Sequence, residues 1–208
     1  MKERILVTGG TGYIGSHTVV ELQNSGYDVV IVDNLSNSSA DVVDNIEKVS
    51  GIRPAFEKLD CLDLEGMDKL FTKYPGIKGI IHFAASKAVG ESVQKPLLYY
   101  RNNLVSLINL LELMPKHGVE GIIFSSSCTV YGQPDVLPVT EEAPIKKAES
   151  PYGNTKQINE EIIRDTVASG SPINAIMLRY FNPIGAHPTA LILSLIHISE
   201  PTRLLSIS

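Results

Sequence analysis

Short apolar runs alternate with longer stretches of mixed hydrophobic and polar residues along most of this 208-residue chain. The short runs are rich in β-branched residues and predict strands at Arg4 to Thr8, Asp28 to Val32, Ala55 to Leu59, Gly79 to Phe83, Gly121 to Ser126 and Asn174 to Arg179. Several are apolar throughout, the pattern of strands covered on both faces. The longer stretches predict helices from Tyr13 to Ser25, ended by Gly26, and from Leu64 to Lys73, stopped ahead of Pro75. Two more are predicted from Leu97 to Leu113, stopped near Pro115, and from Tyr152 to Ala168, stopped before Gly170. Between residues 34 and 50 the pattern is less clear, with a short helix expected at Val42 to Val49. Strands separated by crossovers imply right-handed βαβ units, hence an α/β fold on a doubly wound parallel sheet.

Composition narrows the class. With 43% hydrophobic residues the chain can bury one sizeable core in one domain. A net charge of −5 offers no basic surface to nucleic acid, and no lysine and arginine run suggests an anionic membrane. Cys61 and Cys128 lie in or beside strands without CxxC spacing, as expected of thiols in a reducing cytoplasm. The N-terminal run Ile5-Leu6-Val7 is too short for a signal sequence, and no segment approaches a membrane span. The five histidines show no metal-ligand spacing, so no metal is expected, and His82 reads as a packed strand residue.

Chemistry enters after the first strand. Thr8-Gly9-Gly10-Thr11-Gly12-Tyr13-Ile14-Gly15 leads from a strand into a helix, and Gly9, Gly12 and Gly15 allow a diphosphate to approach the helix N-terminus. The second strand runs into Asp33, placed to accept a ribose 2′-hydroxyl, and Asn34, Leu35 and Ser36 bring no arginine for a 2′-phosphate. This is the context of a Rossmann-like NAD site, preferring NAD to NADP.

Two further strand ends face the same crevice. Ile81-His82-Phe83-Ala84-Ala85-Ser86-Lys87 passes from apolar to small residues, which lets backbone approach a ligand. After the fifth strand, one of the hydroxyls of Ser125, Ser126 and Ser127 is a candidate functional group, although serines there often serve only the local backbone. Tyr152 and Lys156 are spaced to stack on one helix face, so an ammonium would stand beside a phenol whose ordinary pKa is about 10. A fixed positive charge favours the phenolate, making the pair a candidate base toward an alcohol; an exposed helix face is the plainer alternative.

The segments TGGTGYIGSHT from Thr8, VDNLSNS from Val32, IHFAASKAVGESVQKPLLYYRNN from Ile81, FSSSCTVYG from Phe124, SPYGNTK from Ser150 and LRYFNPIGAHP from Leu178 resemble the extended short-chain dehydrogenase/reductase family, in particular its nucleotide-sugar enzymes. The resemblance implies NAD-dependent epimerisation at C4 of a UDP-hexose through a 4-keto sugar. Tyr152 would remove the 4-hydroxyl proton, Ser127 would hydrogen-bond the same oxygen, and Lys156 would bind the nicotinamide ribose and lower the Tyr152 pKa. By motif match the cofactor would touch Gly9, Gly12, Tyr13, Ile14, Gly15, Asp33, Asn34, Leu35, Ser36, Asn37 and Ser38. It would also touch Asp60, Cys61, Phe83, Ala84, Ala85, Ser86, Lys87, Asn102, Tyr152, Lys156 and Phe181. Lys87, Ser127, Tyr152 and Asn182 would contact the sugar nucleotide, and a homodimer would use helices 97–113 and 152–168. Related dehydratases carry Asp-Glu where this chain has Cys128 and Thr129, which argues against elimination of water. A decarboxylase, or an epimerase of N-acetylated or pentose sugars, stays open.

The resemblance covers Met1 to about Thr189. Family members continue into a smaller lobe that binds uridine diphosphate and caps the sugar, and this chain is expected to lack it. An NAD-binding fragment without turnover is therefore the second reading. Residues 191–208 break the α/β pattern, and 193–203, LSLIHISEPTR, looks like the in-frame translation of a transposase-type sequencing adapter. The expected organisation is an NAD-binding domain over 1–190, carrying the catalytic residues, and a non-native or disordered tail over 191–208.

Overall fold

In the computed structural model, which describes residues 2–192, the strands are β1 (Arg4–Thr8), β2 (Asp28–Asp33), β3 (Ala55–Lys58), β4 (Ile77–His82), β5 (Gly121–Ser127) and β6 (Asn174–Tyr180). They form one sheet in the order β3-β2-β1-β4-β5-β6, every neighbour pairing parallel. The doubly wound arrangement expected from the sequence is therefore present, with its order reversing between β1 and β4. The connecting helices are α1 (Tyr13–Asn24), α2 (Asp41–Ser50), α3 (Leu64–Lys73), α4 (Val89–Gln94), α5 (Pro96–Lys116) and α6 (Pro151–Ala168), with a 3-10 turn at Cys128–Tyr131. The expected tail, residues 191–208, lies almost wholly outside the described residues; Ile192, within them, is buried beside Val7 and Ile31.

Local chemistry accounts for the boundaries. Ser150 caps α6 by accepting the Gly153 N–H at 3.1 Å, with Pro151 in the first turn, and Asp63 caps α3 by accepting the Gly66 N–H at 2.9 Å. Gly51, at φ 73°, ends α2. Two boundaries differ by more than one residue from the sequence expectation. β4 starts earlier, at Ile77, because the pairing register with β1 shifts between Arg4 and Ile5 and absorbs Lys78. α5 runs through Pro115 because a proline in the last turn forfeits one N–H bond while the His117 and Val119 amides still close the helix end. The short α4 was not foreseen.

Alternation along the strands divides the core. Leu6, Ile80, Ile122 and Phe124 face Met67 and Leu70 of α3, Leu107, Leu110 and Met114 of α5, and Ile163 of α6. Val7, Val29 and Ile31 face Val19 and Val20 of α1 and Ile46 of α2. The register row Val7, Ile81, Ile123, Ile176 crosses that second face, and its far end is bare: Ile176 is 58% exposed and Leu178 40%. Among the described residues β6 is thus covered on one face only, against the expectation of strands covered on both. Neighbouring residues of the paired strands should respond oppositely. Ile122→Ala should cost about 2–5 kcal/mol and Ile176→Ala less than about 0.5 kcal/mol in urea denaturation; equal losses would contradict the bare face.

Candidate active site

Because the strands run parallel, the residues following β1, β2, β4 and β5 emerge on one edge. Gly9 turns there at φ 69°, its N–H bonded to Val32 O at 2.8 Å and its carbonyl accepting from Gly12 at 3.0 Å. A Cβ on Gly9 would lie 2.7 Å from Ala84 N, and one on Gly15 would lie 2.3 Å from Gly9 O, so neither position admits a side chain without moving backbone. The first N–H groups of α1 begin after Gly12, whose backbone is extended. This cradle fits a diphosphate held at a helix N-terminus.

Asp33 is buried and already organises its surroundings. Its Oδ2 accepts the Thr11 N–H at 3.2 Å, and its Oδ1 accepts from Leu35 N at 2.9 Å and Ser38 Oγ at 3.2 Å. A carboxylate has acceptor capacity for a further hydroxyl, so the predicted ribose contact is compatible with these bonds. Asn34 donates to Asp60 at 3.0 Å, joining the ends of β2 and β3, and exposed Ser36 and Asn37 complete the loop. Cys61, assigned to the cofactor by motif match, has its thiol buried in the core and pushed up to about 12 by burial and by Asp60 and Asp33, while its carbonyl accepts from Asn109 Nδ2 at 2.9 Å.

After β4, the Phe83 N–H donates to Thr8 O at 3.0 Å, and Asn103 clamps Ser86 by accepting its N–H at 2.8 Å and donating to its carbonyl at 3.0 Å. Asn102 donates to the Ser86 hydroxyl at 2.9 Å, whereas Lys87 is exposed. His82 is buried, paired with Thr8 Oγ1 at 2.7 Å, and held down to about 3 by burial and by Lys156, which leaves it a neutral packed residue as expected.

α6 and β5 bring the three proposed catalytic side chains together. Ser127 caps the 3-10 turn by accepting the Thr129 N–H at 3.2 Å and faces the Tyr152 phenol. Gly153 lets α6 approach that turn closely, since a Cβ there would lie 3.3 Å from the Thr129 side chain. Lys156 is 3% exposed, donates to Ser125 O at 2.6 Å, and lies 4.8 Å from the Phe124 ring centroid and 5.9 Å from that of Tyr152. Burial brings its ammonium down to about 8. The sequence reading expected Lys156 to depress the Tyr152 pKa. In the protein alone burial dominates and raises the phenol, Ser127 pulls it partly back, and the ammonium is directed at a backbone carbonyl instead. Phe181 and Asn182 follow β6 and stand exposed at the same edge.

Sequence reasoning missed Asn103, Asn159, Glu160 and Arg179. Asn159 donates to Asn103 O at 3.0 Å, and Glu160 pairs with Arg179 at 2.7 Å, so these residues tie α5, α6 and β6 together. The available signal was a polar stripe at helical spacing, since Tyr152, Lys156 and Glu160 fall on one face of α6. Among the described residues no cluster of three or more metal-ligating side chains occurs, and no helix is long and apolar enough to cross a membrane.

Residues 5–200 match the model of the NAD dependent epimerase/dehydratase family. The UDP-glucose 4-epimerase of Bacillus subtilis is 52% identical over 185 residues, covering 89% of this chain and 54% of that protein. The Dictyostelium discoideum enzyme of the same name is 51% identical over 190 residues, covering 91% of this chain and 55% of that protein. A UDP-glucose-4-epimerase structure from Stenotrophomonas maltophila, with bound NAD and formylated UDP-arabinopyranose, superposes with a TM-score of 0.89 at 47% identity, over 93% of this chain and 57% of that one. The chain thus spans about half the length of the curated relatives it matches. With the parallel sheet, the glycine turn and the aligned Tyr152 and Lys156 all in place, the chain belongs to the NAD dependent epimerase/dehydratase family.

Proposed function

We propose that this chain forms the NAD-binding and proton-transfer part of a UDP-glucose 4-epimerase, which inverts C4 of a UDP-hexose. The observation that carries the reading is Tyr152 on one face of α6 with Lys156, opposite Ser127, at the edge where the glycine turn and Asp33 lie. When bound, NAD supplies a hydride acceptor for C4 and a donor for its return. Tyr152 Oη takes the proton of the 4-hydroxyl and gives it back, and Ser127 Oγ hydrogen-bonds the same oxygen. A phenol raised by burial needs a cation beside it to act near neutrality; the oxidised nicotinamide would supply one when bound, while the Lys156 ammonium is directed at Ser125 O. Lys156, fixed by Ser125 O, is positioned to bind a ribose hydroxyl. The loop from Asp33 to Ser38, with Asp60, holds the adenosine end; Phe83 to Lys87, Asn102 and Phe181 line the other; Lys87 and Asn182 contact the sugar nucleotide.

A second reading, an NAD-binding fragment with little turnover, is favoured for these residues taken alone. Phe181, Asn182 and Ile184 stand exposed where a sugar nucleotide would need enclosure, and residues 1–190 are proposed as the functional unit. Self-association is proposed through α5 and α6, where Leu97, Val105, Ile108 and Val167 are exposed apolar residues. The free cysteines Cys61 and Cys128 support a reducing, cytoplasmic setting.

Three outcomes test the reading. Purified protein should carry NAD, and UDP-galactose should reduce it, read as nicotinamide absorbance; Tyr152→Phe should retain NAD but slow that reduction about 10²- to 10⁴-fold. Undiminished reduction in the variant would remove Tyr152 from the chemistry. Gly15→Ala should abolish NAD retention, because its methyl meets the Gly9 carbonyl; full retention would place the diphosphate elsewhere. The third outcome is linkage at Lys156, whose ammonium falls from 10.5 to about 8 on folding. Between those pH values the unfolded chain binds more protons, so this group's contribution to stability rises with pH, by on the order of 3 kcal/mol. Cys61, held up to about 12, slopes the other way above its ordinary range but cancels when wild type is compared with Lys156→Met. The stability difference should change across that window, and a flat difference would contradict a desolvated ammonium.

A further inference from the structure

Glu160 is 0% exposed, yet the proton-transfer scheme does not use it. It lies on α6 four residues after Lys156 and eight after Tyr152, on the same helix face. Ser126 Oγ donates to its Oε1 at 2.6 Å. Arg179 reaches both oxygens, from Nε to Oε1 at 2.9 Å and from Nη2 to Oε2 at 2.7 Å, and Arg164 Nη2 adds a bond to Oε2 at 2.7 Å. Arg179 also donates from Nη1 to the Tyr131 hydroxyl at 3.0 Å and stacks 4.8 Å from that ring's centroid. One carboxylate therefore joins α6, β5, the 3-10 turn and β6. Two of these contacts lie close to site residues: Ser126 precedes Ser127, and Arg179 stands two residues before Phe181.

We propose that Glu160 is the positioning residue of this site: its carboxylate sets the register of α6 on β5, so that Tyr152 and Lys156 meet Ser127 in one corner. The inference rests on the reading of Tyr152 as the proton-transfer group and deepens it. Stability alone is a weak reason for this arrangement, because well-packed apolar residues often replace a buried ion pair at no loss. Direction is a stronger one. A carboxylate gripped by a bidentate guanidinium and a serine admits one geometry, which a greasy contact would let slide. Burial alone would raise the Glu160 carboxyl, but Arg179, Ser126 and Arg164 outweigh it and hold it below the usual carboxylate range, so it stays charged. Slippage would first be felt at the phenol, because the Ser127 hydroxyl is what pulls the buried Tyr152 back down.

The test is the ultraviolet titration of Tyr152, isolated by subtracting a matched Tyr152→Phe protein, with and without NAD, alongside thermal melting. Lys156, Cys128 and Tyr99, the other titratable groups around the phenol, are common to every variant. Glu160→Gln keeps the volume but turns an amide toward two guanidinium groups, and should raise the Tyr152 midpoint by about one pH unit or more. Ser126→Ala spares the ion pair and the fold and should shift the midpoint the same way by less, so it decides the question if Glu160→Gln does not fold. A lowered melting temperature with the midpoint unmoved in the folded variants would make Glu160 merely structural and overturn the proposal. If subtraction in the otherwise wild-type protein removes no titrating phenol in the accessible range and Tyr152→Phe leaves NAD reduction intact, the reading of Tyr152 itself fails and the proposal falls with it.

Discussion

Parallel pairing is the constraint on which the rest of this molecule depends. With every strand running the same way, all carboxyl ends emerge on one edge, and the reversal of order between β1 and β4 sends the chain away in opposite directions at that point. Loops leaving β1 and β4 must diverge there, which opens a crevice with backbone on both walls. Gly9 shows how narrow the separation is: a single methyl would strike the Ala84 amide from across the reversal. The glycine turn, the small residues after β4 and the hydroxyls after β5 are consequences of one topological event. Their distance in sequence is spanned by helices that pack on the two faces of the sheet.

An edge of this kind collects polar groups that helices then cover, and each must find a partner. Thr8 pairs with His82, Asn103 with Ser86, Lys156 with Ser125 O, and Glu160 with Ser126 and Arg179. The bonds differ in what they cost. His82 escapes by staying neutral, whereas Lys156 keeps an ammonium against a carbonyl and an aromatic face at the expense of its basicity. Tyr152 is left raised, with Ser127 as its principal help. Under the role proposed for Tyr152, charge brought in by the cofactor would offset this burial and so couple proton transfer to cofactor occupancy.

Much of this was legible in the amino-acid sequence because it is local. The glycine turn, Asp33 and the Tyr152 to Lys156 spacing each act within a few residues of one element, and β-branched runs bounded by glycine marked the strands. What escaped depended on tertiary context. The start of β4 reflects a register slip against β1, and α5 passes Pro115 because only the last turn bears the loss. The direction of the Lys156 ammonium could not follow from helical spacing, since Ser125 O comes from β5, thirty-one residues away. Glu160 and Arg179 looked like ordinary charges on a helix and a strand; only the packing of α6 against β6 makes them a pair, with the carboxylate buried and the guanidinium partly so.

The two bare apolar surfaces have different origins. On α5, Leu97, Val105 and Ile108 recur at helical spacing and are exposed, and Val167 is exposed near the end of α6. On β6, Ile176 and Leu178 alternate with Ala175 and Met177, which pack under the helices, so their exposure belongs to the opposite side of the sheet. A body resting on α5 and α6 cannot reach Ile176 through the sheet. Pairing of two copies through these helices would therefore leave the β6 face as it stands. That face belongs to the strand that leads to Phe181 and Asn182, so the two exposed regions are joined along one element.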